Sequence, residues 1–345
     1  MTGWKKKRKQ REKQARSDVL APSVVPLRRH GRVTAVDDGD VLLSVSVGPA
    51  GEAVAVWSTP ADHAALTSVT VHASGASFPD AQAVRPAAAR ITVQSPSLVK
   101  AVRIAEMPLA HATAQPLPGD RLLVVGARCR WRPEGPDRNA LVYGREGAVV
   151  AEYTFGDGVE DVHTTPSGKA WVGYFDEGVF GNYGWGDPGP EPLGARGLAR
   201  FGLGGEVDWR FPSAEAAPID DCYALNVTGE TAWACYYSEF PVVKVEDGAV
   251  TAWRNDVAHG AKSLIVDGRR VGLAGGYRPD RDRLVIAELG AGDLRETGRH
   301  RLVLPDGGPL PDGIHMVGRG QDLHVFDDTD WYRLSLTDVP PAGAW

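Results

Sequence analysis

The sequence predicts an all-β protein: a six-bladed β-propeller with four-stranded blades, the last blade closed by a strand from the N-terminal region. Three observations lead there. First, a unit made of an alternating segment, a turn glycine and a strand of small and aromatic residues recurs around Gly51, Gly119, Gly168, Gly229, Gly268 and Gly320. Successive turn glycines are roughly 40 to 70 residues apart, the period of a propeller blade with loops of variable length. Second, each copy is followed by two further strand-like runs rich in β-branched and aromatic residues and bounded by Gly, Asp and Pro, so a repeat holds four strands. Third, only one clear strand, WYRLSL, follows the last repeat's first hairpin, while GRVTAV from Gly31 precedes the first repeat without a partner. Pairing the two closes the ring and removes an exposed sheet edge.

The elements follow in chain order. Lys5 to Arg16 reads KKKRKQREKQAR, a cationic block with no apolar face to bury, so residues 1–26 are expected to be a disordered basic tail and linker and 27–345 the propeller. The clearest repeats are VEDVHTTPSGKAWVGYF, DDCYALNVTGETAWACYY, AKSLIVDGRRVGLAGGY and DGIHMVGRGQDLHVFDD. Weaker copies are LLSVSVGPAGEAVAVWS and PLPGDRLLVVGARCRW. Asp157-Gly158 ahead of Gly168, and Asp312-Gly313 ahead of Gly320, resemble the repeats of NHL and SMP-30-type six-bladed propellers. The resemblance covers single blades and implies architecture, because one fold hosts many unrelated functions. No ordered set of positions reproduces the metal ligands of lactonases of that kind, so none is carried over.

Composition narrows the function classes. The chain has 345 residues, 43% of them hydrophobic, and a net charge of −6, so no overall basic balance argues for a nucleic-acid-binding body. Cys129, Cys222 and Cys235 show no CxxC spacing and no disulfide framework. With no secretory h-region and no apolar run of about 18 residues, a reducing cytoplasmic setting is expected. Dinucleotide, P-loop, HExxH, EF-hand and GxSxG motifs are missing from the sequence.

The repeat register nevertheless locates a site. With strands lettered A to D from the channel outward, the turn glycines sit in the A–B turns on one face, and the D–A and B–C loops share the other. Eight residues before the turn glycines, at the entry to strand A, stand Glu160, Asp221 and Asp312, with His111 in a fourth copy. Asp161, Asp220, His163, His259 and His315 lie nearby. Glu160, Asp221 and Asp312 are the candidate ligands of a divalent metal at the channel mouth. Crowded carboxyls there would also raise one another's pKa and could serve as acid or base. Asp is also common at strand starts because it satisfies turn backbone groups.

The B–C loops supply the candidate ligand- or partner-binding residues. The third repeat's loop, Tyr174 to Gly197, carries Tyr174, Phe175, Asp176, Glu177, Phe180, Tyr183 and Trp185. The equivalent loops carry Trp131 between Arg130 and Arg132, Tyr236 and Tyr237 with Glu239, Tyr277 and Arg278, and Asp327 and Asp328. Aromatic residues beside charges are typical of binding hot spots.

Three readings follow. A non-catalytic binding or scaffold propeller would engage a protein, peptide or small-molecule ligand through the aromatic, acidic face at the channel mouth. A propeller-type hydrolase, lactonase or lyase would use a metal or paired carboxylates there. An RNA- or ribosome-associated factor would use the basic tail on an anionic partner.

Overall fold

The computed structural model describes residues 23–73, 75–212 and 217–339. Six antiparallel four-stranded sheets form the blades, here numbered in chain order. Blade 1 is Val41–Val47, Ala53–Ser58, Gln82–Gln94 and Leu98–Leu109. Blade 2 is Ala112–Leu117, Arg121–Gly126, Ala140–Tyr143 and Val149–Tyr153. Blade 3 is Val159–Thr164, Ala170–Tyr174, Leu198–Phe201 and Val207–Arg210. Blade 4 is Asp221–Thr228, Thr231–Tyr237, Val242–Glu246 and Ala249–Trp253. Blade 5 is Ser263–Asp267, Arg270–Ala274, Arg283–Leu289 and Leu294–Val303. Blade 6 takes His315–Arg319, Asp322–Asp327 and Asp330–Ser335 from the C-terminal region, and its outer strand, Arg28–Arg32, from the N-terminal region.

The ring is closed as the sequence predicts, with Arg29 opposite Tyr332 and Gly31 opposite Trp331. The closing strand begins three residues ahead of the GRVTAV segment. A second N-terminal strand was not expected. Ser23–Pro26, read as linker, lies parallel to Leu294–Val303 and becomes a fifth strand of blade 5. The basic run 5–16 lies outside the described residues.

Period-2 alternation explains the core. Both faces of each blade pack on a neighbouring blade, so alternate residues of one strand enter different clusters. Leu122 and Val124 join the cluster between blades 1 and 2, while Leu123 and Val125 join that between blades 2 and 3. In blade 1, Val54 and Val56 face blade 2, and Ala53, Ala55 and Trp57 face blade 6. The cluster joining blade 6 to blade 1 contains Val33, Val45, Phe326 and Trp331, so the seam of the ring is as dry as its other joints. Apolar runs such as LLVV and AVAVW are therefore strands buried on both sides.

All six repeat glycines occupy the A–B turns between the paired innermost strands. Each has positive φ, for example 91° at Gly168 and 57° at Gly229, a backbone region where a Cβ is penalised. The register logic therefore holds: the D–A and B–C loops open on the opposite face. That face also carries helix α1 (Pro60–Leu66), capped by Thr59, whose side chain accepts from the Asp62 backbone N–H, and the short helix α2 (Asp176–Phe180).

Candidate functional site: the mouth of the central channel

At the A–B turn end the channel is closed by buried polar side chains. The Ser46 hydroxyl donates to the Ala114 carbonyl at 2.5 Å, and Gln115 Nε2 donates to Ser46 Oγ at 2.9 Å. Gln115 Oε1 accepts from the Thr164 N–H at 3.1 Å. Asn226 Nδ2 donates to the carbonyls of Leu264 and Gly320 at 2.7 and 2.8 Å. Arg319 of blade 6 crosses to blade 3, three places round the ring, where it donates to His163 Nδ1 at 2.8 Å and to the Thr164 carbonyl. The channel is thus a pit with a floor.

The pit has a volume of about 320 Å³ and is lined by Glu160 and Asp161 of blade 3, Tyr223 of blade 4, Lys262 and Gly276 of blade 5, and His315 of blade 6, among others. Two hollows of about 560 and 500 Å³ lie elsewhere, the first beside the Lys100–Asp120 ion pair and the second along Ser23–Arg29. Neither gathers unpaired acids.

Two β-bulges shape the pit. The register between strands A and B shifts at Glu160 in blade 3 and at Tyr223 in blade 4. A bulge leaves one residue unpaired and re-aims its side chain. Glu160 and Asp161 therefore both line the pit, where regular alternation would send them to opposite sides, and Tyr223 enters beside them.

The electrostatics are unusual. The Glu160 charge acts on both Asp161 and Asp221, yet among the described residues none of the three carboxyls has a protein hydrogen bond or ion pair. Removal from bulk water raises the Glu160 pKa, an effect partly offset by Lys262. Burial, then the Glu160 charge, pushes Asp161 up to about 8. Burial, then the charges of Glu160 and Asp176, brings Asp221 to about 6. Burial lowers the His315 pKa, which keeps that imidazole neutral. Asp161 is accordingly held as a neutral acid at pH 7. Glu160 is exposed on the channel wall, so its desolvation is partial and not that of a dry core.

This arrangement has a cost with a definite sign. The folded-state pKa of Asp161 lies above its ordinary value of 3.8, so its favourable contribution is complete below pH 4 and is lost as pH rises through about 8. Asp161→Asn is expected to raise Tm by about 2–4 °C at pH 8.5, with a much smaller gain at pH 5. Calorimetric scans at both pH values check this; a gain independent of pH would show that Asp161 is not held neutral.

A tyrosine rim adjoins the acids. Tyr223 and Tyr277 share a hydroxyl–hydroxyl hydrogen bond of 2.9 Å, and the Tyr237 and Phe240 rings lie 6.5 and 5.2 Å from that of Tyr223. The Lys262 ammonium sits over the Tyr223 ring, 4.1 Å from its centre. Tyr237 and Tyr277 are 46% and 52% exposed, a high value for tyrosine, and Arg278 is exposed beside them.

Other expected site residues are used differently. Asp312 is exposed, precedes strand A of blade 6 and is engaged by Arg281, because the D–A loop there is longer than the repeat offset assumes. Glu160, Asp221 and Asp312 do not form a metal cage, and no group of three or more His, Cys, Asp or Glu suited to a metal occurs among the described residues. Tyr174, Tyr236 and Trp185 are buried. They donate to the carbonyls of Phe155, Ala217 and Cys129 at 2.6, 2.9 and 2.8 Å, so they hold loops in place and offer no surface.

Within the Tyr174–Gly197 loop, Glu177 pairs with the buried Arg128, which also holds Asp157 at 2.9 Å. The Phe175 and Tyr183 rings lie 5.3 and 4.3 Å from that guanidinium, and Trp131 N–H donates to the Tyr183 carbonyl at 2.9 Å. The loop is thereby clamped to blade 2. Phe180 and Asp176 remain exposed, and Asp176 faces Asp221 electrostatically. His111 is spent on the Ser68 carbonyl at 2.8 Å and His259 on Asn255 at 3.2 Å. Cys129, Cys222 and Cys235 are free and buried.

Sequence reasoning missed Tyr223, Lys262 and Arg281. Lys262 directly precedes strand A of blade 5, at the strand entry where the acids stand in blades 3 and 4, but it carries the opposite charge.

Comparison with known proteins adds little beyond architecture. A family model described as the YxzG family matches residues 206–265, a stretch within blades 3 to 5. No functionally curated protein matches the sequence. Among solved structures the chain is similar to a gluconolactonase of Xanthomonas campestris, with 13% identity, TM-score 0.43, and coverage of 92% of this chain and 99% of that one. A calcium-binding regucalcin of Agrobacterium tumefaciens gives 13% identity and TM-score 0.43, covering 94% and 98%. The WD40 domain of Neurospora crassa Pan2 gives 10% identity and TM-score 0.43, covering 93% and 99%. The architecture itself is established by the chain's own strand pairing: it is a six-bladed β-propeller.

Proposed function

We propose that this propeller is a binding protein whose ligand, a small polar molecule, enters the channel mouth and is held by the acids of strand A and the tyrosine rim. One observation carries the reading: Glu160 and Asp161 line a floored pit, Asp221 lies within the electrostatic reach of Glu160, and among the described residues no protein group donates to any of the three carboxyls. Unsatisfied carboxyls withdrawn from water are destabilising unless a ligand or water completes them. The exposed rings of Tyr237, Tyr277 and Phe180 on the same face also suit a peptide partner. A thermal-shift screen of small polar compounds, repeated on Asp221→Asn and Tyr277→Ala, tests this. Hits that stabilise the native chain and fail on both variants are expected; hits unaffected by either variant would move the site elsewhere.

A second reading is a propeller hydrolase of the lactonase kind. It is favoured by the separation of the carboxyl pKa values, with Asp161 at about 8 and Asp221 at about 6, which suits an acid and a base in one site. Turnover of simple lactones or esters that disappears in Asp161→Asn while binding persists would establish it.

The three free, buried cysteines are consistent with a reducing compartment, and we take the cytoplasm as the setting. No helix among the described residues is long and apolar enough to cross a membrane. The basic run near the N-terminus would add contacts to an anionic partner.

A further inference from the structure

We infer that the ligand of the channel mouth is an organic cation carrying a primary ammonium group, and that Lys262 is a built-in placeholder for it. The inference rests on the reading of the mouth as a ligand site and names the class of ligand.

The argument starts from Lys262 itself. Its ammonium has no ion pair and no hydrogen-bond acceptor among the described residues, although Glu160, Asp161 and Asp221 are all close enough to feel its charge. It is seated instead over the Tyr223 ring at 4.1 Å. A cation on an aromatic face, sharing one pit with Glu160 and Asp161 and paired with neither, defines a cation seat already filled by a tethered cation. The lysine stem is flexible and the side chain is solvent-exposed, so it can swing out at little cost.

The charges facing the seat agree. Blade 3 supplies Glu160 and Asp161 from strand A, and blade 4 supplies Asp221, which feels the Lys262 charge. Against them stand Lys262 and Arg281, and the guanidinium of Arg281 is already engaged by Asp312. His315, the remaining titratable wall residue, is neutral. When Lys262 leaves, the seat has no cation of its own. An incoming ammonium with an apolar body would stack on Tyr223, reach the carboxyls that lack donors, and rest its body against the exposed rings of Tyr237 and Tyr277. A divalent metal is a poorer occupant, since the described residues offer no three-ligand set.

The test uses three probes of one shape and different charge, namely benzylamine, benzyl alcohol and benzoate, titrated calorimetrically into the full-length chain and into Lys262→Met and Asp221→Asn. Saturable binding of benzylamine alone is expected, tightened about tenfold in Lys262→Met and weakened about tenfold in Asp221→Asn. Melting temperatures of the two variants confirm that each is folded. Binding of benzoate, lost in Lys262→Met, would overturn the inference by making the lysine an anion anchor. Equal binding of the alcohol and the amine would overturn the charge argument and leave the ligand site standing. Benzylamine binding that Lys262→Met weakens or leaves unchanged would overturn the placeholder role. If no probe binds, the inference falls, while the reading of the mouth as a small-molecule site is decided separately by the thermal-shift screen.

Discussion

Arg128→Ala is expected to destabilise the fold by about 3–5 kcal/mol, because it leaves the Asp157 carboxylate buried without its cation. The Arg128 and Asp157 side chains are 3% and 0% exposed, and Asp157 also accepts from the Cys129 N–H at 2.8 Å. The same guanidinium holds Glu177 and lies against Phe175 and Tyr183, so its loss frees the long B–C loop of blade 3 at the rim of the pit.

Desolvation outweighs the ion pair at Asp157, whose pKa stands at about 6 even with Arg128 present. Removing Arg128 raises it further, so the folded state keeps the proton to higher pH. A raised folded-state pKa means stability lost as pH climbs, and the variant goes on losing it where the native chain has stopped. The gap between them should therefore widen from pH 5 to pH 8. Urea unfolding at the two pH values measures it. A loss below about 1 kcal/mol at pH 8 would mean that the network is incidental to stability.

Arg319 is the second position with a large expected effect. Burial pulls its pKa down to about 10, and among the described residues it has no carboxylate partner within reach of a salt bridge, only His163 and the Thr164 carbonyl. Its Nε lacks a partner altogether. Arg319→Ala leaves a hole in the channel floor and strands two acceptors, at a cost of about 2–4 kcal/mol. Arg319→Met keeps most of the stem's packing and removes a desolvated charge, so it should cost less than half as much.

The more specific readout is His163. Burial lowers its pKa well below the ordinary value, and the Arg319 charge adds to that. Because Arg319 donates to Nδ1, the imidazole carries its proton on Nε2. In Arg319→Met the Coulombic contribution disappears and burial remains, so the His163 pKa should rise yet stay under its solution value. An NMR titration of the imidazole carbons follows this. An unchanged His163 pKa would show that the guanidinium does not govern it.

Much of the site was legible in the repeat register. The repeat register puts Glu160 and Asp221 at the entry to strand A and Tyr237 and Tyr277 at the B–C ends on the same face; in the structure Tyr237, the last residue of its B strand, and Tyr277 both lie against Tyr223, and Glu160 and Asp221 interact. Register failed wherever a loop or a bulge changed the count. Asp312 sits three residues ahead of its strand and turns to Arg281. Tyr174 and Tyr236, the last or next-to-last residues of their B strands, are drawn into the core, where their hydroxyls tie down neighbouring loops. An aromatic residue at a strand end reads the same in sequence whether it packs inward or faces solvent, because only the neighbouring blade decides.

The sequence by itself determined the number of blades, the closure of the ring and the face that carries the D–A and B–C loops. These follow from local rules that repetition amplifies: a glycine wherever φ must be positive, alternation of period two along every strand, and an edge that must find a partner. Only the tertiary structure decided what the mouth contains. Two bulges bring Glu160 and Tyr223 into the pit, Arg319 floors it from the opposite side of the ring, and Lys262 reaches the Tyr223 ring from the next blade. Each of these joins residues from different blades or breaks the register, so no pattern within a single repeat could have shown it.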